Sequence, residues 1–199
     1  MQLYFSQNSP FARIARIAAR EMGLIQIITE FPAANRQPDN PVLRYSPVGR
    51  VPTLVDGKIV ITETKNVVQY LAAQPKARAV ASVISSDWQD IMQEGQILGF
   101  IDGIASWVRE DRREPECRST HLIEVERDRS KRCLAHLENG AASEKLGDFP
   151  IFRFIALAAG LDLMDFHQFH PAWRTDYPKL ASWFVVQASR QSMRETAPR

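Results

Sequence analysis

Cysteine is scarce in this chain: Cys117 and Cys133 are the only two among 199 residues. They are too few and too far apart for a disulfide framework and are not spaced as a C-x-x-C redox pair, which fits a reducing compartment and predicts a cytoplasmic location. Long apolar runs are missing as well. None approaches the roughly 20 residues of a membrane span, and the amino terminus enters a strand pattern without the charged region, apolar core and cleavage site of a leader. No membrane partner is expected. Charge of one sign is equally scarce, with 25 Lys and Arg against 23 Asp and Glu for a net charge of +2. The arginines are dispersed among acids and form no basic block, so no nucleic acid partner is expected. His121, His136, His167 and His170 lack Cys or carboxylate partners at metal-ligand spacing, and no metal is expected. His167 and His170, on a Phe-rich segment, read as surface or capping residues. Internal repeats and low-complexity segments are absent.

What is present is an ordinary globular composition, 45% hydrophobic and 24% charged, on a chain long enough for one large or two small domains. Gln2 to Phe5 reads as a strand. From Pro10, the apolar residues Phe11, Ile14, Ala15, Ala18 and Met22 recur at helical spacing until Gly23 supplies a stop. Leu24 to Thr29 is β-branched enough for a second strand, placed after a helix as a parallel crossover requires. Phe31 to Ser46 reads as a loop with a helical turn around Pro41 to Tyr45. Pro52 to Val55 and Lys58 to Ile61 flank Asp56-Gly57, a two-residue hairpin signal, and Val67, Val68 and Leu71 mark a helix. The order βαβ-ββα over residues 1–75 predicts an α/β, thioredoxin-like domain with a four-stranded mixed sheet.

Residues 76–86 lack strand periodicity and read as a linker. Beyond them, residues 87–199 carry only helical patterns: Asp87 to Arg109, Thr120 to Leu137, a segment from Asp148-Phe149-Pro150 through Leu163, and Pro178 to Ala188. An all-helical carboxy-terminal domain is expected.

Two proline-marked turns carry the chemistry. Proline suits the first helical position because its missing N–H is not needed there, so Ser9-Pro10-Phe11 reads as a helix start with a hydroxyl at the cap. Ser9 then lies where a helix N-terminus favours negative charge. Val51-Pro52 enters the hairpin, which leads into Thr62-Glu63-Thr64, where a further helix begins with N–H groups free to take a carboxylate. A thiolate site and a carboxylate site would share one small sheet, as a thiol-bearing peptide requires. Taken alone, Ser9-Pro10 reads as a plain capping serine, and Glu63-Thr64 as a helix cap in addition to any binding role.

In this order the residues resemble the cytosolic glutathione transferase superfamily over essentially the whole chain. Ser9-Pro10-Phe11 with Arg13 resembles the start used by serine-type bacterial members. Asn40-Pro41 through Ser46-Pro47-Val48-Gly49-Arg50-Val51-Pro52-Thr53-Leu54 resembles the stretch before the family's cis-proline. Glu63-Thr64 resembles its Glu/Asp-Ser pair, and Tyr177-Pro178-Lys179-Leu180 with Trp183 its final helix. The chain departs from the family at the start of the buried helix. After Gly147-Asp148, a Ser/Thr cap with Asp three residues on is usual there, but this chain has Pro150 and Arg153, losing the reciprocal cap and leaving Asp148 to substitute.

The resemblance implies glutathione as cosubstrate, no metal cofactor, and transfer to a hydrophobic electrophile by a cytoplasmic, detoxifying homodimer. It casts Ser9 as donor to the glutathione sulfur, with Tyr4, Ser6 and Asn8 as rivals. Val51 and a cis Pro52 would meet the cysteinyl backbone, the Thr64 hydroxyl and N–H the γ-glutamyl carboxylate, and Glu63 its ammonium. Arg50 and Arg36 are candidates for the glycyl carboxylate, because arginine matches a carboxylate bidentately. Phe11, Ile101, Ile104 and Trp107 are candidates to line the electrophile pocket, although core packing is the stronger reading for each of them singly, and the surface near Tyr70 and Trp88 is the candidate dimer interface. A thiol-disulfide reductase is disfavoured because serine cannot form a mixed disulfide. The alternative of a different class is a non-catalytic glutathione-binding or protein-interaction module on the same fold.

Overall fold

The computed structural model describes residues 1–34, 37–77, 84–143, 146–149 and 151–199, without the side chains of 141–143. Strands β1 (Gln2–Phe5), β2 (Thr29–Pro32), β3 (Thr53–Asp56) and β4 (Ile59–Thr62) form one sheet in the order β2-β1-β3-β4. β1 and β2 are parallel, while β1–β3 and β3–β4 are antiparallel. Helices α1 (Pro10–Glu21) and α2 (Thr64–Ala72) complete a thioredoxin-like domain. Leu3 and Leu54, opposite each other in register, are fully buried on the helical side, while Tyr4 and Val55 turn to the other face, under Val42 of the short turn Pro41–Arg44.

The second strand corrects the expectation from sequence. Leu24 is fully buried, Ile25–Ile27 forms a 3-10 turn, and pairing begins only at Thr29. A short apolar, β-branched run signals burial and does not by itself distinguish a strand from a turn. β2 is an edge strand, and Pro32, lacking an N–H, is tolerated at its end. The hairpin is shifted by one residue: Asp56 still pairs with Ile59, and Gly57, at φ 59°, takes the first loop position, where a primed turn needs positive φ.

The carboxy-terminal part is helical: α3 (Trp88–Asp111), α4 (Thr120–Ser143), α5 (Phe152–Phe166), α6 (Trp173–Asp176), α7 (Pro178–Ala188) and α8 (Gln191–Glu195). Asp87 caps α3 by accepting from the N–H groups of Gln89 and Asp90 at 2.8 and 3.3 Å. α3 and α4 each outrun the expected ends, and α6 and α8 are too short for a periodic signal. Part of the expected linker lies outside the described residues, as does Pro150. Asp148 does not cap α5; its Oδ1 takes the neighbouring N–H of Phe149 at 2.7 Å. Ile151 stands at the cap without a side-chain hydrogen bond, and Arg153 pairs with Asp90 of α3 at 2.7 Å. The lost cap is thus accompanied by an ion pair to the neighbouring helix.

One apolar core runs through both parts. α5 is its centre, with Ile155, Leu157 and Leu161 fully buried, each worth about 1.5–3 kcal/mol. Gly160 allows α3 and α5 to approach so closely that a Cβ there would meet Ile101 at 2.8 Å. Arg13, 3% exposed, reaches from α1 to Asp162 of α5 at 2.6 Å and to the Met193 carbonyl of α8 at 3.1 Å. These contacts seat the amino-terminal end of α1 against the helical part.

Candidate active site

The loop leaving β1 turns at Ser6, whose carbonyl accepts from the Ser9 N–H at 3.1 Å. Ser9 caps α1: its Oγ accepts from the Ala12 N–H at 3.2 Å, and Pro10 fills the first helical position. Accepting uses a lone pair, so the Ser9 O–H remains able to donate at the positive end of the helix. Ser9 lines a cleft of about 580 Å³ between the sheet domain and α3.

Val51–Pro52 on the facing wall is cis. Val51 lies beyond Thr53, the last β3 residue paired with β1, so its peptide groups stand outside the ladder at the cleft. Two hydrogen bonds hold this turn: Asn40 Nδ2 donates to the Gly49 carbonyl at 2.8 Å, and Thr53 Oγ1 to the Arg50 carbonyl at 2.7 Å. A second lobe of about 410 Å³ shares Phe11, Arg50, Val51 and Asp102 with the first and continues past Pro52 to Glu63, Thr64 and Lys65. Glu63 is exposed and takes φ 68° and ψ 130° at the start of α2. This left-handed backbone costs a non-glycine residue on the order of 1–3 kcal/mol, and such strain gathers at binding sites. The Thr64 hydroxyl is engaged, donating to the Phe11 carbonyl at 3.3 Å. What α2 offers an anion at this point is its first-turn N–H groups.

The structure therefore brings together Ser9, Phe11, Arg50, Val51, Pro52, Glu63 and Thr64 around one groove. Arg36 lies outside the described residues. The expected electrophile-pocket residues on α3 need correction. Ile101 and Ile104 are fully buried in the core, and Trp107 stacks on Phe169 with ring centroids 3.8 Å apart. None of the three lines the groove. The groove's wall here includes instead Leu98, Asp102, Ala105 and Arg109 of α3 and Arg112 just past the helix end, spaced alternately four and three apart. α3 is apolar on several faces, so periodicity alone did not tell the cleft face from the buried ones. The missed signal was Asp102 and Arg109, with Arg112 just past the helix end, polar residues recurring at helical spacing along and beyond the mostly apolar stretch from Ile97 to Val108.

Of the rivals to Ser9, Tyr4 is turned away: its ring stacks on Phe31 at 5.4 Å, and its hydroxyl donates to Gln2 Oε1 at 3.1 Å. Burial, then the hydrogen bond with Tyr45, raises its pKa. Asn8 lines the cleft, but its side-chain amide is paired on both sides with the backbone of Arg199, at 2.9 and 3.1 Å. Ser6 also lines the cleft and is the remaining neighbouring hydroxyl. His170 lies 2.7 Å from Ser130 Oγ, and burial pushes its pKa down. Among the described residues, no group of His, Cys, Asp and Glu could hold a metal ion, and no helix is long and apolar enough to cross a membrane.

A thioredoxin-like sheet domain joined to a helical bundle, with a groove between a helix-capping serine and a cis X-Pro turn, defines the glutathione transferase class of fold. Residues 8–74 match the family model for the glutathione S-transferase N-terminal domain. An uncharacterized GST-like protein of Escherichia coli K12, YibF, is 28% identical over 206 residues, spanning 100% of this chain and 98% of that protein. A glutathione transferase family member from Pseudomonas fluorescens Pf-5, solved with bound glutathione, superposes with a TM-score of 0.87 at 26% identity, over 100% of this chain and 98% of that one. The same family member with bound S-(propanoic acid)-glutathione gives a TM-score of 0.84 over the full length of both chains. A glutathione S-transferase from Methylobacillus flagellatus KT, at 23% identity and a TM-score of 0.86 over 100% of this chain and 99% of its own, shares the fold. Over its whole length the chain resembles the glutathione transferase superfamily.

Proposed function

We propose that this protein binds glutathione in the groove and activates it as the thiolate for attack on an electrophile. The observation that carries this reading is the convergence of the Ser9 cap, the cis Val51–Pro52 turn and the strained Glu63 start of α2 on one groove. A free thiol has a pKa of about 8.5, so only a few per cent is ionised at neutral pH. The Ser9 O–H, donating to sulfur beside the α1 N-terminus, stabilises the charged form and lowers that pKa. Val51 offers its peptide groups to the cysteinyl backbone in a strand-like pairing. The first-turn N–H groups of α2 take the γ-glutamyl carboxylate and Glu63 its ammonium. Arg50 is the described candidate for the glycyl carboxylate, with Arg36 proposed beside it from sequence. The thiolate then bonds to the electrophile's carbon. The glutathione thioether bound to the Pseudomonas relative is of the kind such a transfer leaves.

We further infer a cytoplasmic homodimer formed through the surface that carries Tyr70 and Trp88. The dimer reading is supported by Trp88, which is 80% exposed, and by the exposed Ile59 and Met92. The catalytic reading is tested by the pKa of bound glutathione, followed by thiolate absorbance for wild type and Ser9→Ala. A value well below about 8.5 that rises in the variant supports it. Binding with an unshifted pKa moves the weight to a non-catalytic glutathione-binding module.

A further inference from the structure

The Ser9 lobe of the groove is not the apolar pocket that the resemblance leads one to expect. Among the described residues, its charged lining consists of Arg50 beside Val51, Arg109 and Arg112 near the end of α3, and a single carboxylate, Asp102. The other acids at the end of α3 are engaged elsewhere. Glu110 accepts from the Ser119 N–H at 2.7 Å and lies 3.5 Å from Arg113, and Asp111 lies 3.6 Å from Arg118. Arg109 rests on Ser106 Oγ at 2.6 Å. Arg112 is exposed and makes no ion pair among the described residues.

Cations at a helix C-terminus suit the helix dipole, which accounts for Arg109 and Arg112 singly. It does not account for their meeting Arg50, from the other domain, across one cleft. A carboxylate engages one guanidinium bidentately. With the glycyl carboxylate of glutathione on Arg50, as proposed above, Arg112 is left to face the acceptor.

We propose that the electrophile taken by this cleft carries a carboxylate, held chiefly by Arg112 while the thiolate attacks. This rests on the thiolate-transfer reading above. With an aryl chloride, the thiolate sulfur bonds to the chlorine-bearing carbon, the C–Cl bond breaks, and chloride leaves with its electron pair. The thiol proton has already passed to solvent.

The test compares a chloronitrobenzoate with the corresponding chloronitrobenzamide, which share the reacting carbon and differ in charge. Thioether formation is followed and each kcat/KM is divided by the uncatalysed rate constant. The acid is expected to exceed the amide by about tenfold or more, the size of a hydrogen bond to a charged group. Arg112→Gln should collapse that ratio towards one, and Arg112→Lys should retain part of it. Equal ratios in the wild type, with both acceptors conjugated, overturn this proposal and leave the transferase reading standing. A loss of glutathione affinity in Arg112→Gln without change in the ratio assigns Arg112 to the glycyl carboxylate and also overturns it. Conjugation of neither acceptor, with an unshifted pKa of bound glutathione, removes both readings together.

Discussion

Ser9 is asked to do two things whose energies can be separated. As a cap it accepts from Ala12, and as a catalytic group it would donate to sulfur. Ser9→Gly keeps most of the cap, because glycine at this position costs only a few tenths of a kcal/mol. We expect a melting temperature close to wild type with kcat/KM for conjugation reduced tenfold or more, since a hydrogen bond to a charged group contributes about 1.5–3 kcal/mol. An unchanged rate constant would return Ser9 to a purely structural role and point to Ser6. Glu63 is the opposite case, a residue held at positive φ where glycine is at ease. Glu63→Gly should leave stability unchanged or raise it by up to about 1 kcal/mol. Calorimetric titration should show weaker glutathione binding, by about tenfold, as the partner of the γ-glutamyl ammonium is lost.

At the scale of elements, α1 joins the sheet to the helical part through its charged residues. Arg16 and Arg20 both hold Glu30 of β2, at 3.0 and 2.7 Å, and Arg190 holds Glu21 at 2.6 Å. Burial alone would raise the Glu30 and Glu21 carboxyls. The hydrogen bonds from Arg20 and Arg16, and from Arg190 and Ser192, together outweigh it and hold both below the usual carboxylate range. A carboxyl whose pKa is lower folded than unfolded stabilises the fold above its unfolded pKa of about 4.3, and that contribution fades as pH falls through the folded value. Denaturant midpoints should therefore drop on acidification from about pH 5 downward. Glu30→Gln should flatten part of that slope and cost about 2–4 kcal/mol near neutral pH, because Arg16 is left buried without its partner. A Glu30→Gln variant with the wild-type pH slope would remove Glu30 from this account.

At the scale of the whole molecule, the buried Arg13 ties the thioredoxin-like domain to α5 and α8, and burial pushes its guanidinium pKa down. Asp162→Asn strands that cation, and a loss of about 3 kcal/mol in unfolding free energy is expected. A loss below about 1 kcal/mol would show that the hydrogen bonds to Met193 and Thr196 suffice. Between molecules, the exposed Trp88 supplies the sharpest test of the homodimer. Sedimentation of the wild type should give twice the chain mass, and Trp88→Glu should shift it towards the monomer. A wild type that sediments as a monomer ends the dimer reading.

Much of this protein was legible as pattern. The Ser9-Pro10 start, the Gly23 stop, the hairpin to within one residue, and the Pro178 start of α7 follow from backbone chemistry that acts within a few residues, so local sequence suffices to find them. The order of those elements determined the fold class. Three things lay beyond it. Leu24 to Ile28 satisfied a strand pattern yet formed a turn, because burial against the core rewards the same residues in either conformation. Thr64 was a capping hydroxyl by position, yet it donates to Phe11, a partner on another helix. The face that α3 turns to the groove was decided only when α4 and α5 packed against it, which buried Ile101, Ile104 and Trp107 and left Asp102, Arg109 and Arg112 on the wall opposite Ser9. The sequence by itself determined which chemical groups this protein has and the local frames that hold them. Tertiary packing decided which of those groups share a cavity, because burial is a property of neighbours that the chain meets only once it has folded.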